Sequence, residues 1–432
     1  MADTSEARTP VFIDGGRIPF QRSGTAYVDL MAYDMGRMAL KGLLTRTDLS
    51  PASIDRVIMG TVVQDVETSN VAREAALAAG IPNTVPAHTV TQACISSNQA
   101  VTSGMELIRA GQSNVVVASG TETLSDPPIR VRRPLRKKLF EARKYKSPQE
   151  FLSILKDLSP SDLLPESPSI AEFSTGEVMG ESADKLAAMF GVSREEQDEY
   201  ALLTHHRAAA AQEDGRMQKE LFPASVPPDF EPITKDNVVR PDTTLEKLSG
   251  LSPAFVKPFG TVTAGNSSAL TDGASASLLM SHEYATAEGY TPRAALREYT
   301  YVAQDPGAEL LLGPAYAIPK VLDAADMTLD NIDVVELHEA FAGQVLAVLE
   351  ALASDRFAEE SLNRTEAVGR IDMDILNTRG GSVSLGHPFG ATGVRLVTTA
   401  VNRLYEEDGQ WALVSACAAG GQGHAMLIER MG

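Results

Sequence analysis

The sequence contains 432 residues, of which 43% are hydrophobic, and 38 Lys and Arg against 57 Asp and Glu give it a formal charge of −19. Such a composition is that of a globular protein with large cores, and the acidic total argues against nucleic acid as a partner, because phosphate binding requires a basic surface. Two cysteines, Cys94 and Cys417, exclude a disulfide framework, and no Cys and His residues have the spacing of a metal site.

The N-terminal segment does not have the pattern of a signal or transit peptide. The first ten residues contain Asp3 and Glu6 and no apolar segment of the kind found in signal peptides. No apolar stretch reaches about 18 residues, the length that a membrane-spanning helix needs. We therefore expect a cytoplasmic protein.

Short β-rich segments alternate with longer helical segments along the chain. The patterns predict strands at 11–13, 56–63, 87–91, 114–119, 411–416 and 424–429, and helices at 29–44, 96–110 and 394–404. Repeated strand–helix–strand units of this kind predict an α/β fold around mainly parallel strands.

Two segments of the chain recur later in the same order. Residues 48–57 resemble 326–335, and residues 111–119 resemble 409–417. Chance similarity between short α/β segments is the alternative, but the shared order favours two copies of one α/β domain.

The region 126–265 between the two copies has a different composition. It opens with the basic run RVRRPLRKKLFEARKYK, continues into FLSILKDL and then into SPSDLLPESPS, a Pro- and Ser-rich stretch that predicts a linker. A basic run is often only a solvated surface, and the alternatives are an anionic ligand, an acidic partner or a phospholipid surface. We interpret the region as an insertion that covers a site or contacts a partner.

Cys94 lies between a predicted strand and a predicted helix that begins near Ser96. The positive end of a helix dipole lowers the pKa of a nearby thiol, which would make Cys94 reactive. A buried, inert thiol is the alternative, since that is the more common state of a free cysteine.

Three further residues lie at turns after predicted elements. His387 stands between two glycines before a helix, His338 follows the strand of the second repeat, and Cys417 ends a strand before a glycine-rich turn. A single histidine is more often a satisfied structural residue, but the ends of equivalent strands in duplicated domains meet at one crevice. Two thiols and two imidazoles there predict covalent thiol chemistry with proton transfer.

These motifs, taken together, resemble those of the thiolase family, and the similarity extends over nearly the whole chain. The matching segments occur in order as QACISSNQAV, KPFGTVTAGNSSALTDGAS, HEAFAGQ, GGSVSLGHPFGATG and CAAGGQGHAM. The HEAF form and the basic insertion are most similar to the thiolase β subunit of the fatty-acid β-oxidation trifunctional complex and its bacterial relatives.

The resemblance implies a fold and an assembly. The expected fold is α/β, with two duplicated βαβαβαββ domains in a five-layer αβαβα sandwich and an inserted loop domain. The implied boundaries are 1–125 for the N-terminal domain, completed by 266–289, then 126–265 for the insertion and 290–432 for the C-terminal domain. A homodimer or homotetramer is also implied.

The resemblance further implies a 3-ketoacyl-CoA thiolase, an acyltransferase that cleaves 3-ketoacyl-CoA with CoA to acetyl-CoA and a shortened acyl-CoA. Cys94 would be the nucleophile, His387 would take its proton, and Cys417 would exchange protons with acetyl-CoA and CoA. One oxyanion hole would use His387 and a water held by His338, where most of the family has Asn. The other would use the backbone N–H groups of Cys94 and Ala419.

Coenzyme A is implied as a co-substrate, and no permanently bound cofactor or metal is expected. The residues carried over as CoA contacts are Met179, Arg240, Phe255, Ala264, Ser268, Ala340 and Phe341.

Other functions and partners remain open at this point. The alternatives are a short-chain acetyl-CoA acetyltransferase and a weakly catalytic acyl-CoA-binding scaffold subunit. A hydratase/dehydrogenase subunit is an implied partner, and residues 130–156 are a candidate for peripheral contact with a membrane.

Overall fold

The computed structural model describes residues 4–152, 154, 156, 158–168 and 171–432. Its strands are β1 Pro10–Arg17, β2 Gln21–Arg22, β3 Arg56–Gly60, β4 Ala87–Val90, β5 Val115–Glu122, β6 Arg130–Val131, β7 Pro165–Glu166, β8 Ala224–Ser225, β9 Pro232–Ile233, β10 Thr271–Ser281, β11 Ala294–Ala303, β12 Val334–Leu337, β13 Trp411–Ala418 and β14 Gln422–Arg430.

The helices are α1 Thr4–Ala7, α2 Ala32–Thr47, α3 Val71–Ala78, α4 Ser96–Arg109, α5 Arg133–Ala142, α6 Pro148–Leu152, α7 Met179–Met189, α8 Arg194–Glu213, α9 Leu245–Ser249, α10 His282–Ala287, α11 Gly313–Ala324, α12 Ala342–Leu352, α13 Asp355–Phe357, α14 Ser382–Leu385 and α15 Thr392–Glu406. Within the described residues, no helix is long and apolar enough to cross a membrane.

Local sequence signals explain several helix ends. At the start of α8, the Ser193 hydroxyl oxygen accepts a hydrogen bond from the Glu196 N–H, and the Glu196 carboxylate accepts one from the Ser193 N–H. Two backbone N–H groups that would otherwise have no partner at the helix end are thereby paired. Helix α4 ends just before Gly111, whose φ of 70° lies in the left-handed region that glycine adopts readily.

The main sheet runs in the order β12-β13-β14-β11-β1-β10-β5-β3-β4, with β2 paired to β10. Its β3/β4, β3/β5 and β12/β13 pairs are parallel, and its other pairs are antiparallel. The prediction of mainly parallel strands was therefore wrong. Alternating strands and helices predict crossovers, but apolar patterns carry no information on whether neighbouring strands run in the same direction.

The sheet consists of two similar halves that meet at β1. One half is β4-β3-β5-β10-β1, and the other is β12-β13-β14-β11. Strand β1 pairs with β10 along its length but with β11 only at Val11 and Phe12. The repeated segments 48–57 and 326–335 lead into β3 and β12, and the segments 111–119 and 409–417 lead into β5 and β13. The two copies thus occupy equivalent places in the two halves.

Helices form three layers around the two halves of the sheet. Helices α4 and α15 contact each other between the halves, α2 and α3 cover one outer face, and α11 and α12 cover the other. The central core combines Ile58, Val101 and Val116 with Val397 and Val414. This αβαβα arrangement confirms the predicted fold, while the residue boundaries of the domains stay a prediction.

The region 126–265 contains α5 to α9 and the short pairs β6/β7 and β8/β9. Part of the predicted linker is ordered, since β7 pairs with β6 and Arg130 binds Glu166 at 2.7 Å. In the FLSILKDL segment, Ser153, Leu155 and Asp157 lie outside the described residues.

A buried ion pair fastens this region to the first half of the sheet. Arg17 at the end of β1 binds Asp236 through both Nη atoms, at 2.6 and 2.9 Å, and Asp236 also accepts the Phe20 N–H at 2.7 Å. Both side chains are about 1% exposed or less. Removal of Asp236 leaves the buried Arg17 guanidinium with the longer contacts to Glu220, at 3.4 Å, as its remaining ion pair.

We expect Asp236→Ala to lower the free energy of unfolding by about 3–5 kcal/mol, measured by urea denaturation. The matched control is Asp242→Ala in the same region, where the pair with Lys247 is exposed and its loss should leave stability unchanged within error. Equal stability of the two variants would contradict a fastening role for Asp236.

Candidate active site

Cys94 lies in a tight loop between β4 and α4. The preceding residue, Ala93, has a φ of 46°, which is unusual for a residue other than glycine. Ser96 holds this conformation, because its Oγ accepts the Gln92 N–H at 2.8 Å and donates to the Ala93 carbonyl at 2.7 Å. Strain of this kind persists only where the surroundings impose it, and here it places the thiol ahead of the helix.

Burial dominates the protonation of Cys94. It raises the pKa of the thiol to about 11, against the lowering effect of hydrogen bonds from the backbone N–H groups of Ala419 and of Cys94 itself. The expectation of a lowered pKa was therefore wrong for the free protein, because desolvation outweighs the helix end. The same two N–H groups are those predicted to form an oxyanion hole.

Cys417 lies within β13, which continues to Ala418 rather than ending at residue 416. The thiol is 1% exposed. Burial raises its pKa well above the usual value, and the charge of Cys94 raises it further, so the two thiols are close enough to interact. A hydrogen bond of 3.0 Å between the side chains of Gln92 and Gln422 ties the Cys94 loop to the β13–β14 turn.

The two predicted histidines contact each other, with ring centroids 4.1 Å apart. His387 Nδ1 is bonded to Thr392 Oγ1 at 2.7 Å, and His338 Nδ1 to Ser382 Oγ at 2.9 Å. Neither Nε2 atom has a hydrogen-bond partner among the described residues, although both are buried. Each ring is thus held by a hydrogen bond at Nδ1, and its Nε2 remains available to a reacting group.

Both imidazoles are neutral at neutral pH. Burial lowers the pKa of His387 to about 3, with a further contribution from the charge of Arg395. Burial also lowers the pKa of His338 well below its usual value, followed by the charges of His387 and Arg395. A neutral imidazole with a free nitrogen can accept a proton, which is what a general base requires.

The His387 loop lies directly on the end of β5. A Cβ atom at Gly120 would overlap the Gly390 carbonyl oxygen, and a Cβ at Gly390 would lie 2.7 Å from the Thr121 carbonyl oxygen. Only glycine permits this approach of backbone to backbone. The loop segment before β10 completes the contact, because Ala269 accepts the His387 N–H at 3.0 Å.

Glu122 joins the thiol and histidine sides of the site. Its carboxylate accepts the Gly390 N–H at 2.9 Å and the N–H groups of Val62 and Val63 at 3.0 and 2.9 Å. Burial raises the pKa of Glu122 to about 7, and these N–H donors oppose the rise. The negative charge of Glu122 in turn raises the pKa of Cys94.

Sequence reasoning missed Glu122 together with the residues that anchor the imidazoles, namely Thr392, Ser382 and Arg395. The signal for Glu122 was its place at the end of the otherwise apolar strand NVVVASGTE. For Thr392 it was the spacing of five residues from His387 across a predicted helix start. Neither pattern is specific enough to assign a contact.

The predicted CoA contacts fall into two groups. Phe255 and Phe341 pack edge to face with centroids 6.0 Å apart, and the Ser268 N–H donates to the Ala340 carbonyl at 3.0 Å. Met179 packs on the same core, and Ala264 is exposed in the loop that also carries Ser268. Arg240 lies apart from the aromatic pair in the described contacts, exposed beside α8, where its N–H donates to His205 at 3.2 Å.

Metal ligation finds no support in the part of the chain that the structure describes, where no three His, Cys, Asp or Glu residues are placed to hold an ion.

In a Cys417→Ala variant, in which Cys94 is the remaining thiol, we expect the rate of iodoacetamide alkylation to rise about tenfold per pH unit from pH 7 to pH 10. The raised pKa keeps the thiol protonated at pH 7, so the thiolate fraction grows with pH. Intact-mass spectrometry measures the rate, with a peptide of residues 90–98 as the unfolded control. A rate that levels off between pH 9 and pH 10, as expected for the peptide, would show that the pKa is not raised.

Comparison with known proteins matches both halves of the chain to one family. Residues 11–283 match the thiolase N-terminal domain, and residues 290–430 match the thiolase C-terminal domain. The human mitochondrial trifunctional enzyme subunit beta is 55% identical over 98% of this chain and 88% of its own length. A probable 3-ketoacyl-CoA thiolase of Caenorhabditis elegans is 54% identical over 98% of this chain and 94% of its own.

A solved structure extends the similarity to the fold. The crystal structure of human mitochondrial 3-ketoacyl-CoA thiolase in complex with CoA superimposes with a TM-score of 0.83 at 33% identity, over 99% of each chain. The predicted recognition, fold and acyltransferase class are confirmed. The chain belongs to the thiolase family.

Proposed function

We propose that the protein is a 3-ketoacyl-CoA thiolase that shortens 3-ketoacyl-CoA by thiolysis in fatty-acid β-oxidation. The observation that carries the proposal is a pair of neutral imidazoles with free Nε2 atoms and a pair of interacting thiols. Glu122 connects the two pairs, because it binds the His387 loop at Gly390 and its charge acts on Cys94. The names of the trifunctional enzyme subunit beta and 3-ketoacyl-CoA thiolase relatives support the substrate class. CoA takes part as a co-substrate, and the superimposed thiolase with CoA supports its binding here.

In the first half of the reaction, His387 accepts the Cys94 proton and the thiolate attacks the 3-keto carbon. The bond between C2 and C3 then breaks, which leaves the acyl group on Cys94 and the electron pair on the acetyl-CoA enolate. Cys417 gives its proton to the enolate carbon. The burial that raises the pKa of Cys94 means that a base is required for this attack at neutral pH.

In the second half, Cys417 takes the proton of the CoA thiol, and the CoA thiolate attacks the acyl carbonyl. The backbone N–H groups of Cys94 and Ala419 stabilise the oxyanion. Acylated Cys94 cannot carry the thiolate charge that raises the pKa of Cys417, so at this stage Cys94 does not oppose a thiolate at Cys417. Cys94 leaves as a thiolate and recovers its proton from His387.

The decisive assay follows the loss of the 3-ketoacyl-CoA enolate absorbance with CoA, using acetoacetyl-, 3-ketooctanoyl- and 3-ketohexadecanoyl-CoA. We expect kcat/KM to be higher for the longer chains and to fall at least about 10³-fold in Cys94→Ser, since a serine alkoxide is far harder to form. Cys417→Ala should still acylate Cys94 but turn over slowly.

Either of two outcomes would contradict this proposal and favour another function. Activity confined to acetoacetyl-CoA would make the protein a short-chain acetyl-CoA acetyltransferase. No activity with any chain, in protein whose Cys94 is still alkylated by iodoacetamide, would favour an acyl-CoA-binding scaffold subunit.

We infer a homodimer or homotetramer and a hydratase/dehydrogenase subunit as partner. Strand β4 ends the sheet order within the described residues, and an edge strand offers backbone N–H and C=O groups for pairing with a second copy. The name of the trifunctional relatives supports the partner subunit. The cytoplasmic location stays a prediction.

We also infer peripheral membrane contact through residues 130–156. Helix α5 carries Arg136, Lys137 and Lys138 together with exposed Leu139 and Phe140, and α6 exposes Phe151 and Leu152. Basic residues attract anionic headgroups, and exposed apolar side chains gain from insertion among the acyl chains.

We expect the protein to sediment with vesicles that contain anionic lipid, and the variant Phe140→Ser/Phe151→Ser to sediment several-fold less, since the apolar side chains would contribute about 1.5–3 kcal/mol each when fully buried. The matched control is Phe259→Ser, which removes another exposed phenylalanine, 88% exposed and outside the segment. Equal sedimentation of the wild type, the double variant and the Phe259→Ser control would contradict this inference.

A further inference from the structure

Three buried side chains, those of Arg395, Ser382 and His338, are connected in series by hydrogen bonds. Arg395 on α15 places Nη2 3.0 Å from the Ser382 Oγ, and that Oγ lies 2.9 Å from His338 Nδ1. All three residues are at most 1% exposed. The hydrogen-bonding capacity of these three side chains, rather than solvent, therefore decides which atom carries each proton.

The chemistry of the guanidinium sets the direction of both bonds. A guanidinium has only donors, so the Ser382 oxygen accepts from Arg395. If His338 Nδ1 also donated to this oxygen, the hydroxyl proton would remain buried without an acceptor, which costs about 1–3 kcal/mol. The hydroxyl proton is therefore donated to His338 Nδ1, and the ring carries its own proton on Nε2.

His387 has the opposite arrangement. Thr392 Oγ1 donates to the Pro388 carbonyl at 3.2 Å, which leaves an oxygen lone pair facing His387 Nδ1 at 2.7 Å. Nδ1 then carries the ring proton, and the free Nε2 has a lone pair. Two neighbouring imidazoles thus present different groups, one a base and the other a donor.

Charge strengthens the assignment of His338 as a neutral donor. Arg395 is paired with Glu336 at 3.3 Å, and Glu336 also pairs with Arg403 at 2.9 Å. Glu336 thus shares its charge between two guanidinium groups, and Arg403 has a second carboxylate partner in Glu407 at 2.9 Å. The charge of Arg395 contributes to the lowered pKa of His338, behind burial and His387.

We propose that Arg395 and Ser382 are positioning residues that hold His338 in the tautomer with the proton on Nε2, so that His338 donates a hydrogen bond, directly or through a water, to the thioester oxygen of the enolate that forms when the bond between C2 and C3 breaks. The inference rests on the proposed thiolase function. The new element is the pair of groups that fixes the ring proton of His338 for the oxyanion role that the family resemblance implies, and the base role stays with His387.

The tautomer can be measured without catalysis. In protein labelled with ¹⁵N-histidine, two-bond ¹H–¹⁵N correlation spectra distinguish a protonated ring nitrogen from one with a lone pair, and His338→Asn identifies the signals. We expect the pattern for a proton on Nε2 in the wild type. A proton on Nδ1 overturns the inference, whereas the Nε2 pattern in a protein without thiolysis overturns the proposed function and not the tautomer.

The kinetic test removes the hydroxyl that sets the tautomer. We expect Ser382→Ala to populate both tautomers and to lower kcat about 10- to 100-fold with KM for 3-ketoacyl-CoA changed less than about threefold, because an oxyanion donor acts in the transition state. The matched control is Ser384→Ala on the same short helix, whose buried Oγ contacts Thr204 and the Gly381 carbonyl but no imidazole. This control should keep the wild-type kcat and tautomer.

A second variant tests the same inference if Ser382→Ala does not fold. Arg395→Lys keeps the positive charge but cannot reproduce the planar set of donors, so it should shift the tautomer signals in the same direction. Unchanged kcat and an unchanged spectrum in folded Ser382→Ala, or equal losses in Ser382→Ala and Ser384→Ala, would overturn the positioning role.

Discussion

The loop that carries His387 crosses the end of β5 with backbone lying directly on backbone. Gly120 and Gly390 have no room for a side chain at this crossing, and Glu122 accepts the Gly390 N–H beside it. The loop comes from the second half of the duplicated sheet, whereas Cys94 comes from the first. The position of His387 relative to Cys94 therefore depends on this contact, in which a Cβ atom would separate the two halves.

Exclusion of water is the second constraint on the site. Burial keeps both thiols protonated and both imidazoles neutral, so these four side chains are uncharged in the free protein, although the charges of Glu122 and Arg395 act on them. Charge develops only when substrate is present, and in a dry site fixed N–H donors stabilise it more strongly than water-exposed donors would. The raised pKa of Cys94 and the lowered pKa of His387 are two consequences of the same desolvation.

Buried charges around the site serve orientation more than stability. Arg395, Glu336 and Arg403 form a cluster inside the second half, next to His338. A buried ion cluster stabilises a fold weakly, because desolvation cancels most of the attraction. Its donors have fixed directions, however, and one of them reaches the serine that anchors His338. Through this cluster the core of the second half determines which nitrogen of the His338 ring carries the proton.

The sequence by itself determined the fold class and the duplication, and it selected Cys94, His338, His387 and Cys417 as candidate reactive residues. Strand and helix periodicities are local, and the segments around these four residues are long and specific. Only the tertiary structure decided the strand directions, the sign of the Cys94 pKa shift and the groups that anchor the imidazoles. Each of these depends on residues far apart in the chain, as when Glu122 meets Gly390 or Arg395 meets Ser382 beside His338. Desolvation and hydrogen-bond direction arise only when such residues are packed together, so no local pattern encodes them.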